Sequence, residues 1–260
     1  MSYKVTNFHK QEFLDHVYTH ECREFARKRD RGFAPFMADI VDFAANKNYN
    51  YQSNALSLVE LGIGGGGAHY MWDCHLRGKI YGVELYSPDE KYTDEYEFYH
   101  NDVNATRHRN NYDTATILIN ATTQVEFHFG LDAYADTTAA HIYNTHGRPL
   151  DIVIDDADPS GHGLTALLPA WKPYMYEKGC IISETIYGNG SSELMSLSEQ
   201  QRLDLLKVAH DQGFVCFDFS KYAYDKPETN DMIHHMVFWS PDIGYYHSVL
   251  DKYEDCRIDF

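Results

Sequence analysis

The chain has no long hydrophobic run: nowhere in its 260 residues do about eighteen apolar residues follow one another, so no membrane-spanning helix is expected. Its amino terminus, MSYKVTNFHK, lacks the apolar stretch of a secretion signal. Cysteine is also sparse. The five present, Cys22, Cys74, Cys180, Cys216 and Cys256, are an odd number without CxxC or zinc-like spacing. Neither a disulfide framework nor a structural zinc site is therefore expected, and a reducing cytoplasm is the default location. Positive charge is the third shortage, with 22 Lys and Arg against 39 Asp and Glu, a formal charge of −17 with the 15 His left out. Sequence-independent nucleic-acid binding runs on Lys and Arg contacts that release phosphate counterions, so this balance argues against it and against an acidic membrane surface. It suits solubility and a cationic ligand.

What remains is a foldable composition, 43% hydrophobic and 15% aromatic, in a length that suits one large domain. The first third reads as helices, about His9 to Lys28 and about Phe33 to Lys47, the latter with Phe36, Ile40 and Phe43 at helical spacing. From Leu56 the pattern changes to short apolar runs, each followed by a helical stretch: LSLVEL (56–61), KIYGVEL (79–85), VEFHF (125–129), DIVIDD (151–156) and CIISET (180–185). That alternation predicts βαβ units and a parallel sheet buried on both faces. A helix over residues 191–210 leads to GFVCFDF, a polar loop DKPETND and MIHHMVFW, which predicts a closing hairpin, so that the sheet ends with one antiparallel strand. The span Tyr86 to Asn110, with five aromatics and six acids, has no clear periodicity and reads as a lid, a substrate loop or a surface insertion.

The most informative stretch is VELGIGGGGAHYMW, residues 59–72, a glycine run between a buried strand and a helix. Gly62, Gly64 and Gly67 satisfy GxGxxG, Gly66 lies in the same run, and Glu84 ends the next strand 22 residues after Gly62. Glycines let the backbone turn sharply and approach a ligand, the helix N-terminus offers free N–H groups, and Glu84 can accept from two ribose hydroxyls. This suits NAD or S-adenosylmethionine (SAM) equally. Glu60 separates them, because a carboxylate beside the loop repels a pyrophosphate and attracts the sulfonium and ammonium of SAM.

The span from VELGIGGGGAHYMWDCHLRGKIYGVELY through DIVIDDADPSGHGLTALLPAWKPYMYEKGCIISETI resembles the class I SAM-dependent methyltransferases, and within them the metal-dependent macrolide sugar O-methyltransferases of the mycinamicin type. The resemblance covers about residues 56–186: the glycine loop with its Met71-Trp72 pair, the Arg77-Gly78-Lys79-Ile80 turn, the acidic strand end at Glu84, and the acidic ends of the fourth and fifth strands. It implies an α/β fold, a Rossmann-like seven-stranded, mostly parallel sheet with helices on both faces. An N-terminal helical cap (1–50) would precede a methyltransferase domain (51–260). It also implies SAM, and Mg²⁺ held where the family has its DGSH and ED pairs.

Residue by residue, Asp156 matches the first metal ligand of that family and Glu184 the second. Thr185 stands where the second acid of the ED pair belongs, and Pro159 where the general-base His belongs. Asp158 is then a substitute ligand or catalytic acid, and His162 a replacement base, against the plainer readings of a turn and an exposed histidine. Asp155 and Asp132 are further cofactor candidates at strand ends, Asp132 for the adenine or as a helix N-cap. Trp72 packs beside the cofactor or in the core. His234 and His235, adjacent in a strand, point to opposite faces and suit no metal site. The expectation is a SAM-dependent methyltransferase of a small-molecule acceptor, a sugar-like or natural-product hydroxyl, in secondary metabolism. The alternatives are an NAD-dependent oxidoreductase or sugar-modifying enzyme, and a non-catalytic SAM-binding module. Methyltransferases of this build often form homo-oligomers, by analogy only.

Overall fold

The computed structural model describes residues 8–19, 33–47, 56–63, 66–85, 124–157, 163–187, 198–222, 224–226, 231–239 and 251–260. The acidic span Tyr86 to Asn110 and residues Gly64, Asp158, Pro159 and His162 lie outside that set.

Strands β1 (Leu56–Leu61) and β4 (Leu150–Asp155) are buried at every position, the state of parallel strands covered on both faces. They pair with each other, and β2 (Gly78–Glu84), β3 (Val125–Phe129) and β5 (Met175–Tyr187) extend the parallel sheet to either side. The order β3-β2-β1-β4-β5 reverses its direction of growth between β1 and β4. Such a switch point leaves a crevice outside the carboxyl ends of the strands, and it falls at the glycine run. The fold is the Rossmann-like α/β arrangement that the sequence predicts.

Two details differ. The reversed strand β8 (Asp231–Trp239) is not at the edge: it lies between β5 and β6 (Val215–Asp218), antiparallel to both. Met236 to Trp239 are buried at each position, which a central strand satisfies and an edge strand does not. The sheet also has nine strands rather than seven, because β7 (Tyr224–Lys226) pairs with β8 and β9 (Arg257–Ile258) with β6. Ladders of two or three residues carry no apolar period and leave no mark in the sequence.

Alternation along the strands sorts the core into two layers. Leu56 and Leu58, with Ile80, Ile152 and Ile154, meet α1 (Lys10–Thr19), α2 (Phe33–Asp42) and α3 (Gly67–His75) through Phe13, Phe36, Ile40 and Met71. Val59 and Leu61, with Val83, Val153 and Ile181, meet α4 (Asp136–His146), α5 (Leu164–Trp171) and α6 (Glu199–Asp211) through Ile142, Leu168 and Leu206. Helix α6 starts where Ser198 and Gln201 form a reciprocal capping box, and residues 191–197 of the predicted helix lie outside the described residues. Among the described residues, no helix is long and apolar enough to cross a membrane.

The N-terminal helices are fastened to the carboxyl-terminal segment by Asp39 of α2, which is buried. Its carboxylate takes Lys10 of α1, Lys252 at 2.6 Å and the buried Tyr253 hydroxyl at 2.6 Å. Burial alone works against the charged form, but the hydrogen bonds from Lys10, Lys252 and Tyr253 outweigh it and hold the carboxyl below the usual range. A depressed carboxyl contributes stability above its unfolded pKa and loses it as pH falls through the folded one. Asp39→Asn should therefore lower stability by about 1–3 kcal/mol at neutral pH, the range for an unmet buried partner. The deficit should shrink below about pH 4. Urea denaturation of both proteins at neutral and acid pH checks both parts.

Candidate functional site

The glycine run makes its turn where β1 ends. Gly62 has φ +90°, and a Cβ there would meet the Asp156 carbonyl oxygen at 2.7 Å, so both the backbone angle and the neighbouring chain require glycine. The Gly62 N–H donates to the Val83 carbonyl at 2.8 Å and the Asp156 N–H to Leu61 at 3.0 Å, which ties the ends of β2, β1 and β4 together. Gly66, at φ 74°, caps α3 from the left-handed region.

Glu84 ends β2 in a buried position. Its Oε2 accepts from the Ile63 N–H at 3.3 Å and its Oε1 from Leu85 N–H at 3.1 Å. The acid is therefore folded against the glycine turn, 21 residues away along the chain, as the motif spacing predicts. A carboxylate has roughly four acceptor positions, so it can serve the glycine turn and hydroxyl donors together.

Glu60 lies on the same face one pleat further in, 4% exposed, with Oε2 3.7 Å from Nδ1 of His69, itself 0% exposed. Glu60 is singled out by its place beside the glycine run; His69 is not, its only signal in the sequence being its place in the first turn of α3. Gly82 of β2 makes room for that ring: a Cβ there would come 2.7 Å from His69 Nε2 and 2.6 Å from Phe127 Cδ1.

Asp155 has a different surrounding. Its side chain faces the α4 and α5 layer, 1% exposed, where Oδ1 accepts from the Tyr134 hydroxyl at 3.1 Å and Oδ2 from Ser183 at 3.2 Å. The carboxylate braces β4 against β5 and the loop after β3, so its candidacy as a cofactor contact is not carried by its geometry. Tyr134 and Ser183 had no distinguishing sequence signal. Asp132 is exposed and accepts from the Tyr134 N–H at 2.9 Å in a tight turn; the N-cap of α4 is Ala135 instead. Trp72 is 1% exposed and stacks on Phe13 at 4.9 Å with the rings 8° apart, which places it in the core with α1.

The pairing of Asp155 with Ser183 sets Asp156, just past β4, beside Glu184 of the neighbouring β5. Strands lie about 4.8 Å apart, so the two residues are neighbours. Glu184 is buried and Asp156 half-buried. His235 and His234 of β8 stand opposite Glu184 and Thr185, and the side chains of both histidines and of Thr185 lie outside the described set. Among the described residues, no group of three or more His, Cys, Asp or Glu is placed to hold a metal ion. Mg²⁺ commonly takes one or two protein carboxylates and completes its six oxygens with water and substrate, so Asp156 and Glu184 are the residues that would hold one.

No protein-family model matches the chain, and no curated sequence matches it. Solved structures similar to it include an O-methyltransferase from Bacillus cereus in complex with SAH, with 13% identity over 88% of this chain and 90% of that one and a TM-score of 0.49. The CurJ carbon methyltransferase shows 11% identity over 90% and 67% of the two chains, with a TM-score of 0.48. The methyltransferase MycE of the mycinamycin biosynthetic pathway, in complex with Mg and SAH, shows 19% identity over 58% of this chain and a TM-score of 0.38. The similarity spans 32% of the length of the MycE chain. The strand order and the turn geometry described above carry the fold assignment without these likenesses.

Chemically, the carboxyl-terminal side of β2, β1, β4 and β5 carries a glycine turn and four acids on one face of the sheet: Glu84, Glu60, Asp156 and Glu184. Such a site favours a ligand that brings hydroxyl donors to Glu84 and positive charge to Glu60.

Proposed function

We propose that the protein is a SAM-dependent methyltransferase acting on a small-molecule acceptor, most simply a hydroxyl of a sugar-like or natural-product compound. The observation that carries this reading is the fold of Glu84 against the glycine turn at the switch point, with buried Glu60 beside it. A pyrophosphate cofactor would meet Glu60 with like charge, whereas SAM carries an ammonium and a sulfonium.

A bound SAM supplies an electrophilic methyl carbon. Transfer forms an oxygen–carbon bond to the acceptor, breaks the carbon–sulfur bond and leaves a neutral thioether, while the acceptor's proton departs. In this reading Gly62 and Gly66 admit the cofactor's body, Glu84 takes the ribose hydroxyls and Glu60 takes the ammonium. Asp156 and Glu184 accept hydrogen bonds from the acceptor and align it, since an in-line displacement depends chiefly on positioning. His162, with Asp158, is our assignment for removing the acceptor proton.

Calorimetric titration with SAM, with and without Mg²⁺, tests the proposal. Binding is expected in both conditions, and no heat with SAM would sink it. Asp156→Asn and Glu184→Gln should each lower turnover by about tenfold or more, the value of one charged hydrogen bond to a bound group. Single-turnover rates with an accepted substrate would check that prediction, and unchanged rates in both variants would remove their role.

A further inference from the structure

Beneath the glycine turn, Glu60 and His69 form a buried pair with no described part in binding the ribose or the acceptor. We propose that His69 is a positioning residue for the cofactor's ammonium: a proton on His69 and the ammonium of SAM compete for the one Glu60 carboxylate, so binding SAM expels that proton. The inference rests on the SAM reading above and concerns the same site.

The geometry gives three reasons. Glu60 Oε2 and His69 Nδ1 are 3.7 Å apart with exposures of 5% and 0% for the side chains, so little water screens one from the other. The imidazole is seated: Gly82 leaves it the space a Cβ would fill, and Phe127 meets it edge-on with ring centres 5.1 Å apart. Finally, Glu60 of β1 shares a face of the sheet with Glu84 of β2, which touches the glycine turn at Ile63. Among the described residues, the titratable groups nearest His69 on the elements around it are Glu60 on β1, Glu84 further along β2 and Asp73 one turn on in α3, while β2 and β3 present Gly82 and Phe127 to the ring.

With His69 protonated, its charge satisfies Glu60 and the ammonium gains little there. With His69 neutral, no imidazolium charge opposes the ammonium at that carboxylate. Coupling between two ligands of one group is reciprocal, so what the proton takes from SAM affinity, SAM takes from proton affinity.

Calorimetry from about pH 5.5 to about pH 8.5, in paired buffers of different ionisation enthalpy, reads both sides of this coupling. For the wild type, SAM affinity should rise with pH, by at most about tenfold per unit for one displaced proton, and binding should release a fraction of a proton at the acid end. His69→Gln, which keeps a polar planar group but cannot carry the charge, should flatten the profile and abolish the release. Gly82→Ala, which leaves both partners in place but pushes the ring off its seat, should weaken the dependence; a circular dichroism spectrum matching the wild type shows that either variant is folded. An equal pH slope in wild type and His69→Gln overturns the inference, as does wild-type binding without proton release. A wild type that binds no SAM at any pH overturns the cofactor reading instead, so the two failures are distinguishable.

Discussion

Glu84→Ala is expected to weaken SAM binding by about 100-fold or more. Two hydrogen bonds from ribose hydroxyls to a carboxylate are worth about 1.5–3 kcal/mol each, and about 2.8 kcal/mol is already a factor of 100. The position is buried at the end of β2, so water does not restore what is lost. Part of the loss could be structural, because the same carboxylate receives the Ile63 N–H at 3.3 Å. Glu84→Gln separates the two contributions: its amide oxygen can still accept from Ile63, so the turn is kept while the charge and one acceptor are gone. We expect Gln to recover part of the affinity and to melt close to the wild type. If calorimetry shows SAM bound equally by wild type and Glu84→Ala, the ribose assignment fails even though the cofactor stands.

The contrast between Glu84 and Asp155 explains how far the sequence could be read. Both are acids at predicted strand ends, and spacing alone makes them equivalent candidates. Glu84 is legible because its distance from a glycine run is a property of the chain: a strand, a turn, a helix and a second parallel strand use up a fixed number of residues. Asp155 is not, because its role depends on which face it points to and on Tyr134 and Ser183, partners 21 and 28 residues away. The buried parallel strands were legible for the same reason as Glu84, since burial on both faces requires an uninterrupted apolar run. The place of β8 was hidden: its apolar pattern suits any central position, and only pairing with both β5 and β6 decides among them. His69 was hidden too, as its contact with Glu60 depends on the glycine at position 82 of a different strand.

The carboxylates also share a location that the overall charge of −17 does not reveal. Glu60, Glu84, Asp156 and Glu184 come from or follow four adjacent strands and lie on one face toward the carboxyl-terminal side of the sheet, because parallel strands deliver their carboxyl ends to the same side. Concentrating negative charge there costs stability through mutual repulsion and desolvation, and a cationic ligand offsets that cost. The protein should accordingly gain more thermal stability from saturating SAM than from the neutral thioether product, at equal occupancy.

Gly62→Ala should have the second large effect, and it acts on the turn itself. Alanine at φ +90° strains the backbone by about 1–3 kcal/mol, and its Cβ would stand 2.7 Å from the Asp156 carbonyl oxygen. Backbone on the adjacent strand cannot swing aside as a side chain can, so overpacking adds about 1–3 kcal/mol. To relieve the contact, the ends of β1 and β4 must separate, breaking the Asp156 N–H bond to Leu61 and the Gly62 N–H bond to Val83. The first loosens the acceptor side of the crevice and the second the ribose side. We therefore expect SAM affinity to fall by about 100-fold, matching about 3 kcal/mol, and the melting temperature to drop in the same variant. Wild-type affinity in a folded Gly62→Ala protein would mean that the ligand does not use this turn, and the crevice would have to be assigned elsewhere on the sheet.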